Sequence, residues 1–182
     1  IGAFSCYSLT TGGKSTGLGW KSLYTNTTGN SNTAVGAEAL YYNNTTSQNT
    51  AVGDKAGGYT TGDNNTYLGF KAGFGASGAD ANNVGVGKDA LLSITTGTNN
   101  VVVGALSGDA MTSSSNCVLV GKNTGGAINS VDADGSVAVG HSALTANTGG
   151  QYNTAVGYLS LYTNETGDGL TSVGYNSLKL ST

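Results

Sequence analysis

The nine residues Asn32-Thr33-Ala34-Val35-Gly36-Ala37-Glu38-Ala39-Leu40 return as NTAVGDKAG over Asn49–Gly57 and as NTAVGYLSL over Asn153–Leu161. Self-similarity at a fixed period identifies an array of supersecondary units, each too small to bury its apolar face alone. Anchored on the glycine after the apolar residue, weaker copies fall at Ser5, where serine stands in, and at Gly19, Gly36, Gly53, Gly69, Gly87, Gly104, Gly121, Gly140, Gly157 and Gly174. The steps are 14, 17, 17, 16, 18, 17, 17, 19, 17 and 17 residues, which leaves no room for a second kind of domain in residues 1–182. Thr-Thr-Gly punctuations such as Thr27-Thr28-Gly29, Thr60-Thr61-Gly62 and Thr95-Thr96-Gly97 mark turns between copies.

A unit near 17 residues holds one strand, a shorter second strand and two turns, which is one coil of a parallel β-solenoid. About eleven such coils at roughly 4.8 Å each predict a rod roughly 50 Å long. Composition agrees with an all-β chain. Thirty-one Gly, no Pro and 9% charged residues, with abundant Asn, Thr, Ala and Val, suit short strands and tight turns.

Alternate residues of a strand face opposite sides. The residue before the anchor is always large and apolar, running Phe4, Leu18, Val35, Val52, Leu68, Val86, Val103, Val120, Val139, Val156 and Val173, and is expected to form the interior. Thr33, Thr50, Val84, Val101, Val118 and Val137 lie on the same side. The opposite side is small: Ala34, Gly36, Ala51, Gly53, Ala138, Gly140, Ala155 and Gly157 are expected to form an outer face on which another copy of the chain packs closely. Backbone dihedrals are the alternative reason for the glycines. Asn32, Asn49, Asn65, Asn83, Asn100 and Asn153 share a column in which amides can hydrogen-bond from coil to coil, and Lys21, Glu38 and Lys55 align opposite charges in successive coils.

With the columns aligned, N-T-A-V-G-x-x-A-L resembles the head repeats of trimeric autotransporter adhesins and the shaft repeats of phage tail fibres and related bacterial surface fibres. The resemblance spans the chain and implies a left-handed β-roll, a homotrimeric fibre, and attachment to a cell surface. The prevalent 17-residue step favours the tail-fibre kind over the adhesin heads, whose repeat is near 14. Both ends fall inside the pattern, so a segment of a longer fibre is expected.

Residues that could carry chemistry are sparse. His141 is the single histidine and lacks the companions of a triad or a metal site. Asp132-x-Asp134-Gly135 opens like a calcium loop but lacks the later ligands, and Glu165/Asp168 and Asp132/Asp134 are the close acidic pairs a glycan hydrolase would draw on, both in turns. Cys6 and Cys117 lack metal or redox spacing. Asn26, Asn43, Asn44, Asn64 and Asn164 begin N-x-T triplets that composition alone accounts for. Trp20, Phe70, Tyr158 and Tyr175 follow the anchor and are candidate surface or glycan contacts, with inter-chain packing the alternative.

Seven Lys, no Arg and a net charge of -3 argue against nucleic acid, and no apolar run approaches a membrane span. The expectation is a non-enzymatic, extracellular fibre segment on a virion or bacterial surface, without cofactor or metal, that spaces or forms a region binding a cell-surface glycan or protein receptor. An ice-binding or glycan-binding solenoid is the alternative, the former requiring regular Thr ladders on a flat face. Thr is expected instead in turns and on the inner side. A glycan hydrolase is third.

Overall fold

The computed structural model describes residues 2–75, 78–129 and 133–179. Among them, ten three-residue strands stand one per coil: β1 (Thr16–Leu18), β2 (Thr33–Val35), β3 (Thr50–Val52), β4 (Thr66–Leu68), β5 (Val84–Val86), β6 (Val101–Val103), β7 (Val118–Val120), β8 (Val137–Val139), β9 (Thr154–Val156) and β10 (Thr171–Val173). They form a single parallel sheet in chain order, each strand in register with the next, as in Thr33↔Thr50, Ala34↔Ala51 and Val35↔Val52. The solenoid expected from the period is therefore present, with ten strands and about nine turns between them instead of eleven strand-bearing coils.

The difference lies at the first copy. Ala3, Phe4 and Ser5 form a turn, and the anchor there is Gly2, not Ser5. A Cβ on Gly2 would lie 2.4 Å from the Gly19 carbonyl, the stacking seen at the other anchors. Lys21 N–H donates to Ala3 O (3.0 Å) and Cys6 N–H to Ser22 O (2.9 Å), the same pattern that links later coils. The first step is then 17 residues, and the one interval of 14 disappears.

Each strand is short because backbone on both sides leaves the β region. The residue five before the anchor has positive φ in most coils (Ser31 56°, Gln48 62°, Asn99 59°), and the anchor itself does too (Gly36 138°). Among the described residues no second strand follows. The return layer alternates the sign of φ, with Glu38 at 54° and Leu40 at 50°, and this alternation sends successive N–H groups in opposite directions along the rod. Glu38 N–H donates to Trp20 O in the preceding coil (2.8 Å), and Leu40 N–H to Ala56 O in the following one (3.0 Å). Both layers are thus hydrogen-bonded coil to coil, though only one is a β-sheet. Holding a bulky residue in the left-handed region costs about 1–2 kcal/mol, and Leu23, Leu40, Leu91, Leu144 and Leu161 offset that by complete burial.

The two sides of the strand are opposite to the expectation. Ala34, Ala51, Ala138 and Ala155 are fully buried inside their own chain, together with Tyr67, Val102 and Leu119 of the same column. The Val/Leu column faces out, with Leu18, Leu68 and Val173 exposed to 44%, 48% and 68%. Ala34, Ala51, Ala138 and Ala155 consequently cannot be an inter-chain face. What approaches them is the chain's own return layer, whose fourth residue after the anchor points back across the interior. Where that residue is Leu, the strand residue is small: Gly17 with Leu23, Ala34 with Leu40, Gly85 with Leu91, Ala138 with Leu144, Ala155 with Leu161. Where it is Gly, the strand residue is large in three coils, Tyr67 with Gly73, Val102 with Gly108 and Leu119 with Gly125. In the fourth, Ala51 with Gly57, both are small and the neighbouring coils fill the space, since a Cβ on Gly57 would lie 2.8 Å from Leu40 Cδ2 and 3.2 Å from Tyr67 Cδ2. A Cβ on Gly73 would sit 2.2 Å from the Tyr67 ring. Interiors are close-packed, so a fixed gap between layers makes the two side chains share one volume.

The anchor glycines Gly36, Gly53, Gly140 and Gly157 are likewise explained within one chain. Their φ values run from 132° to 139°, and a Cβ on each would lie 2.3–2.4 Å from the carbonyl oxygen of the next anchor. Dihedral and stacking together exclude a side chain.

Candidate functional site

Three features outside the core have the geometry to do something: the outward sheet face, two sets of aromatic rings, and the side-chain ladders that fix the turns.

The outward face of the sheet is built by two columns. One is Thr16, Thr33, Thr50, Thr66, Val84, Val101, Val118, Val137, Thr154 and Thr171. The other is Leu18, Val35, Val52, Leu68, Val86, Val103, Val120, Val139, Val156 and Val173. All are half-buried or exposed, and none is charged. Nine strand spacings make the strip about 43 Å long, and two columns about 7 Å apart with their side-chain radii make it roughly 12 Å wide, or about 500 Å². That is at the upper end of the largest apolar patch on an ordinary monomer. The threonines lie on this outer face, not on the inner side.

The first aromatic set runs along the return layer. Phe4, Tyr7, Tyr24, Tyr41, Tyr42, Tyr59 and Phe74 form an unbroken chain of ring contacts with centroids 4.5–5.7 Å apart. The chain begins in one column and sidesteps to the next between Tyr41 and Tyr42, whose rings meet edge-on at 4.5 Å. At the sidestep a cleft of about 260 Å³ opens between Glu38, Tyr41, Tyr42, Lys55, Gly58, Tyr59 and Phe74. Lys55 Nζ lies 3.7 Å from Glu38 Oε2, the one charge pair that forms in the expected Lys21–Glu38–Lys55 column. Lys21 instead places its ammonium 4.4 Å from the Trp20 ring.

The second set contains the four aromatics singled out in the sequence. Trp20, Phe70, Tyr158 and Tyr175 are all exposed and share a column, but they do not form one surface. Ala37 and Asp54 separate Trp20 from Phe70, and Phe70 is flanked by Lys71 and Lys88. Tyr158 and Tyr175 stack at 5.5 Å, and His141 extends that stack at 5.4 Å.

The ladders absorb most of the remaining candidates. Each ladder asparagine is buried and bridges two backbone groups of the following coil: Asn49 Oδ1 accepts from Asn65 N–H (2.9 Å) while its Nδ2 donates to Gly62 O (2.9 Å). Amide-to-amide contact occurs at Asn100 Nδ2 to Asn83 Oδ1 (3.0 Å), but backbone bridging is the rule. A second ladder, not anticipated, lies six residues before each anchor. Asp63, Asp134 and Asp168 each accept a backbone N–H of the preceding coil at 2.7 Å, from Ser47, Ser115 and Gln151. Asp134 and Asp168 are therefore turn-fixing groups. Asp132 lies outside the described residues. Asn26, Asn43 and Asn164 are buried, which removes them as glycan acceptors. Cys117 is buried, and burial pushes its thiol up to about 11, so it stays a thiol near neutrality. Among the described residues no three His, Cys, Asp or Glu side chains group around a metal position, and no helix is long and apolar enough to cross a membrane.

One buried ionisable pair had no signal in the repeat. Tyr67 Oη donates to Asp80 Oδ2 at 2.7 Å with both residues buried; burial holds the phenol well above its usual range and raises the carboxyl to about 6.

No family model, curated protein or solved structure matches the chain.

Proposed function

We propose that the chain is a non-enzymatic fibre segment, three copies of which pack through their outward sheet faces, on a virion tail fibre or a bacterial surface, where the rod spaces or forms a receptor-binding region. The observation that carries this is the uncharged Thr/Val/Leu face. Twenty outward positions across ten strands hold only these three residue types, whereas a sheet face kept in water ordinarily carries charged and amide side chains. Two faces in contact bury roughly 1,000 Å², near the lower limit for a specific interface, and a third copy closes the remaining edges. A second copy of the same chain is the occupant that fits. The columns repeat at one strand spacing, so an identical face matches them coil for coil and has no charge to leave unpaired. The count of three rests on the resemblance to trimeric adhesin heads and fibre shafts.

Sedimentation tests it. The wild-type chain is expected at three times its 18.0 kDa mass, and Val86→Lys with Val120→Lys, both outward, is expected to return it to single chains with unchanged circular dichroism. A wild-type monomer at micromolar concentration overturns the proposal.

The ice-binding alternative gains one observation, since Thr16, Thr33, Thr50 and Thr66 form an outward ladder that resumes at Thr154 and Thr171. Valines in β5–β8 interrupt it, which is why self-association is preferred. Thermal hysteresis in the monomeric lysine variant would favour this second reading.

A further inference from the structure

The cleft where the aromatic chain sidesteps combines ring surface with hydrogen-bonding groups. We propose that it binds one ring of a neutral sugar, a pyranose held against Tyr42 and Tyr59 with its hydroxyls directed to Glu38 and Lys55. The inference deepens the fibre proposal, on which it rests for the setting in which a glycan is met, but a single chain builds the cleft.

The argument starts with the walls. Tyr41, Tyr42, Tyr59 and Phe74 come from three successive coils, and their ring contacts at 4.5–5.0 Å hold one another in place. Rings fixed in this way lose little further entropy when a ligand arrives. Tyr42 is nonetheless 44% exposed, so the aromatic surface is held ready and not sealed. The floor is Gly58, whose φ is not positive, so the backbone does not demand glycine there. A Cβ would instead lie 2.8 Å from the Phe74 ring, crowding a wall of the cleft.

The polar groups decide the ligand class. Glu38 and Lys55 stand 3.7 Å apart, too far for a hydrogen bond, so the carboxylate keeps its acceptor sites and the ammonium its donors. Their charges cancel, and the one further cation by the walls, Lys21, is engaged 4.4 Å from the Trp20 ring centroid and lies 5.8 Å from that of Tyr41, so an anion gains at most a weak, salt-screened attraction and a cation none. A neutral ring with one apolar C–H face and several hydroxyls matches a site of aromatic faces, one acceptor and one donor. A cavity of about 260 Å³ lies just below the size that holds drug-like ligands and suits a single sugar ring. One such ring in an open cleft binds at about millimolar strength.

The test uses the full chain and ligand-observed saturation-transfer NMR with the methyl pyranosides of glucose, galactose, mannose and N-acetylglucosamine. At least one is expected to saturate at about millimolar concentration. Tyr59→Ala is expected to weaken it about tenfold, and Glu38→Gln, which keeps the shape, by a lesser factor, while Tyr175→Ala leaves it unchanged. Inorganic phosphate and tetramethylammonium are expected not to compete. The inference is overturned if none of the four sugars saturates, if Tyr175→Ala and not Tyr59→Ala removes binding, or if either ion displaces the sugar. Sedimentation of the same sample separates the two proposals: sugar binding by a monomer removes the fibre reading and keeps the cleft, and a trimer that binds no sugar does the reverse.

Discussion

Replacing Gly36 by Ala separates the two explanations of the anchor column. Within one chain the substitution carries two costs. Gly36 has φ of 138°, where an alanine is strained by about 1–3 kcal/mol. Its Cβ would also lie 2.4 Å from Gly53 O and 2.6 Å from Gly53 C, about 1 Å inside contact distance. Relief requires the two coils to separate locally, at the expense of Gly53 N–H to Val35 O (2.8 Å) and Lys55 N–H to Ala37 O (2.8 Å), bonds worth about 1 kcal/mol each. The sum is about 4 kcal/mol. Gly174 supplies the control in the 182-residue chain, where no later anchor stacks on it. It has nearly the same φ, 130°, but its nearest neighbour to an added Cβ is Ser177 Cβ at 3.8 Å, so Gly174→Ala bears the dihedral cost alone, about 2 kcal/mol. For a chain of this size the expected drops in Tm are about 8–16 °C and about 4–8 °C. Thermal melts followed by circular dichroism, at two protein concentrations tenfold apart, measure both. The reasoning is refuted if Gly36→Ala melts no lower than Gly174→Ala. It is refuted equally if Gly36→Ala keeps its melting temperature and merely dissociates the assembly, because then the column serves contact between chains.

Two further outcomes follow from the interior. Ala34→Leu is expected to cost about 1–3 kcal/mol by overpacking and Leu40→Ala about 2–5 kcal/mol by leaving a cavity, while the double variant recovers at least about 1 kcal/mol of the summed loss because the two side chains share one volume. Denaturant titration of all four proteins measures this, and strictly additive costs would remove the shared-volume account. Asp80 has a folded pKa of about 6 against an ordinary 3.8, so its neutral form is favoured by folding; that stability is complete below about pH 4 and is lost as pH rises through 6, about 3 kcal/mol in all. Denaturation midpoints at pH 4.5 and 7.5 are expected to fall with rising pH in the wild type and to lose that slope in Asp80→Asn; an equal slope in both assigns it to another group.

Much of this was legible in the chain. The repeat, the parallel stack and the in-register columns follow from the period, because coil-to-coil hydrogen bonding forces equivalent residues into alignment. At the first coil Phe4-Ser5 imitates the local apolar-small pair, while Gly2, three residues earlier, is the anchor that keeps the 17-residue step. Asp63, Asp134 and Asp168 fall in one column, but a carboxylate that accepts a backbone N–H from the coil before it has no local sequence signature. The Tyr67–Asp80 pair was invisible for a related reason: it joins two residues that break their columns.

Which side of the strand faces inward is the more instructive case. Alternation establishes that Ala34 and Val35 point to opposite sides and is silent on which side is core. Hydrophobicity favours valine, and in an ordinary half-buried sheet that choice is correct. Here the interior is too thin for two large side chains in one coil, and the deciding signal lies six residues away. Leu40 opposes Ala34 and Leu91 opposes Gly85, while Gly73 opposes Tyr67 and Gly125 opposes Leu119. Residues on a water-facing surface have no reason to vary inversely with a residue across the coil, so this exchange of volume, which only the Ala51/Gly57 coil lacks among those with a buried strand centre and a described partner six residues on, points to the Ala/Gly column as core without reference to polarity. Once it is inside, the strictly Thr, Val and Leu columns are left outside. The Val/Leu column then stands on the outer side of every strand, and it is on this face, not on the Ala/Gly one, that the proposed association between chains rests.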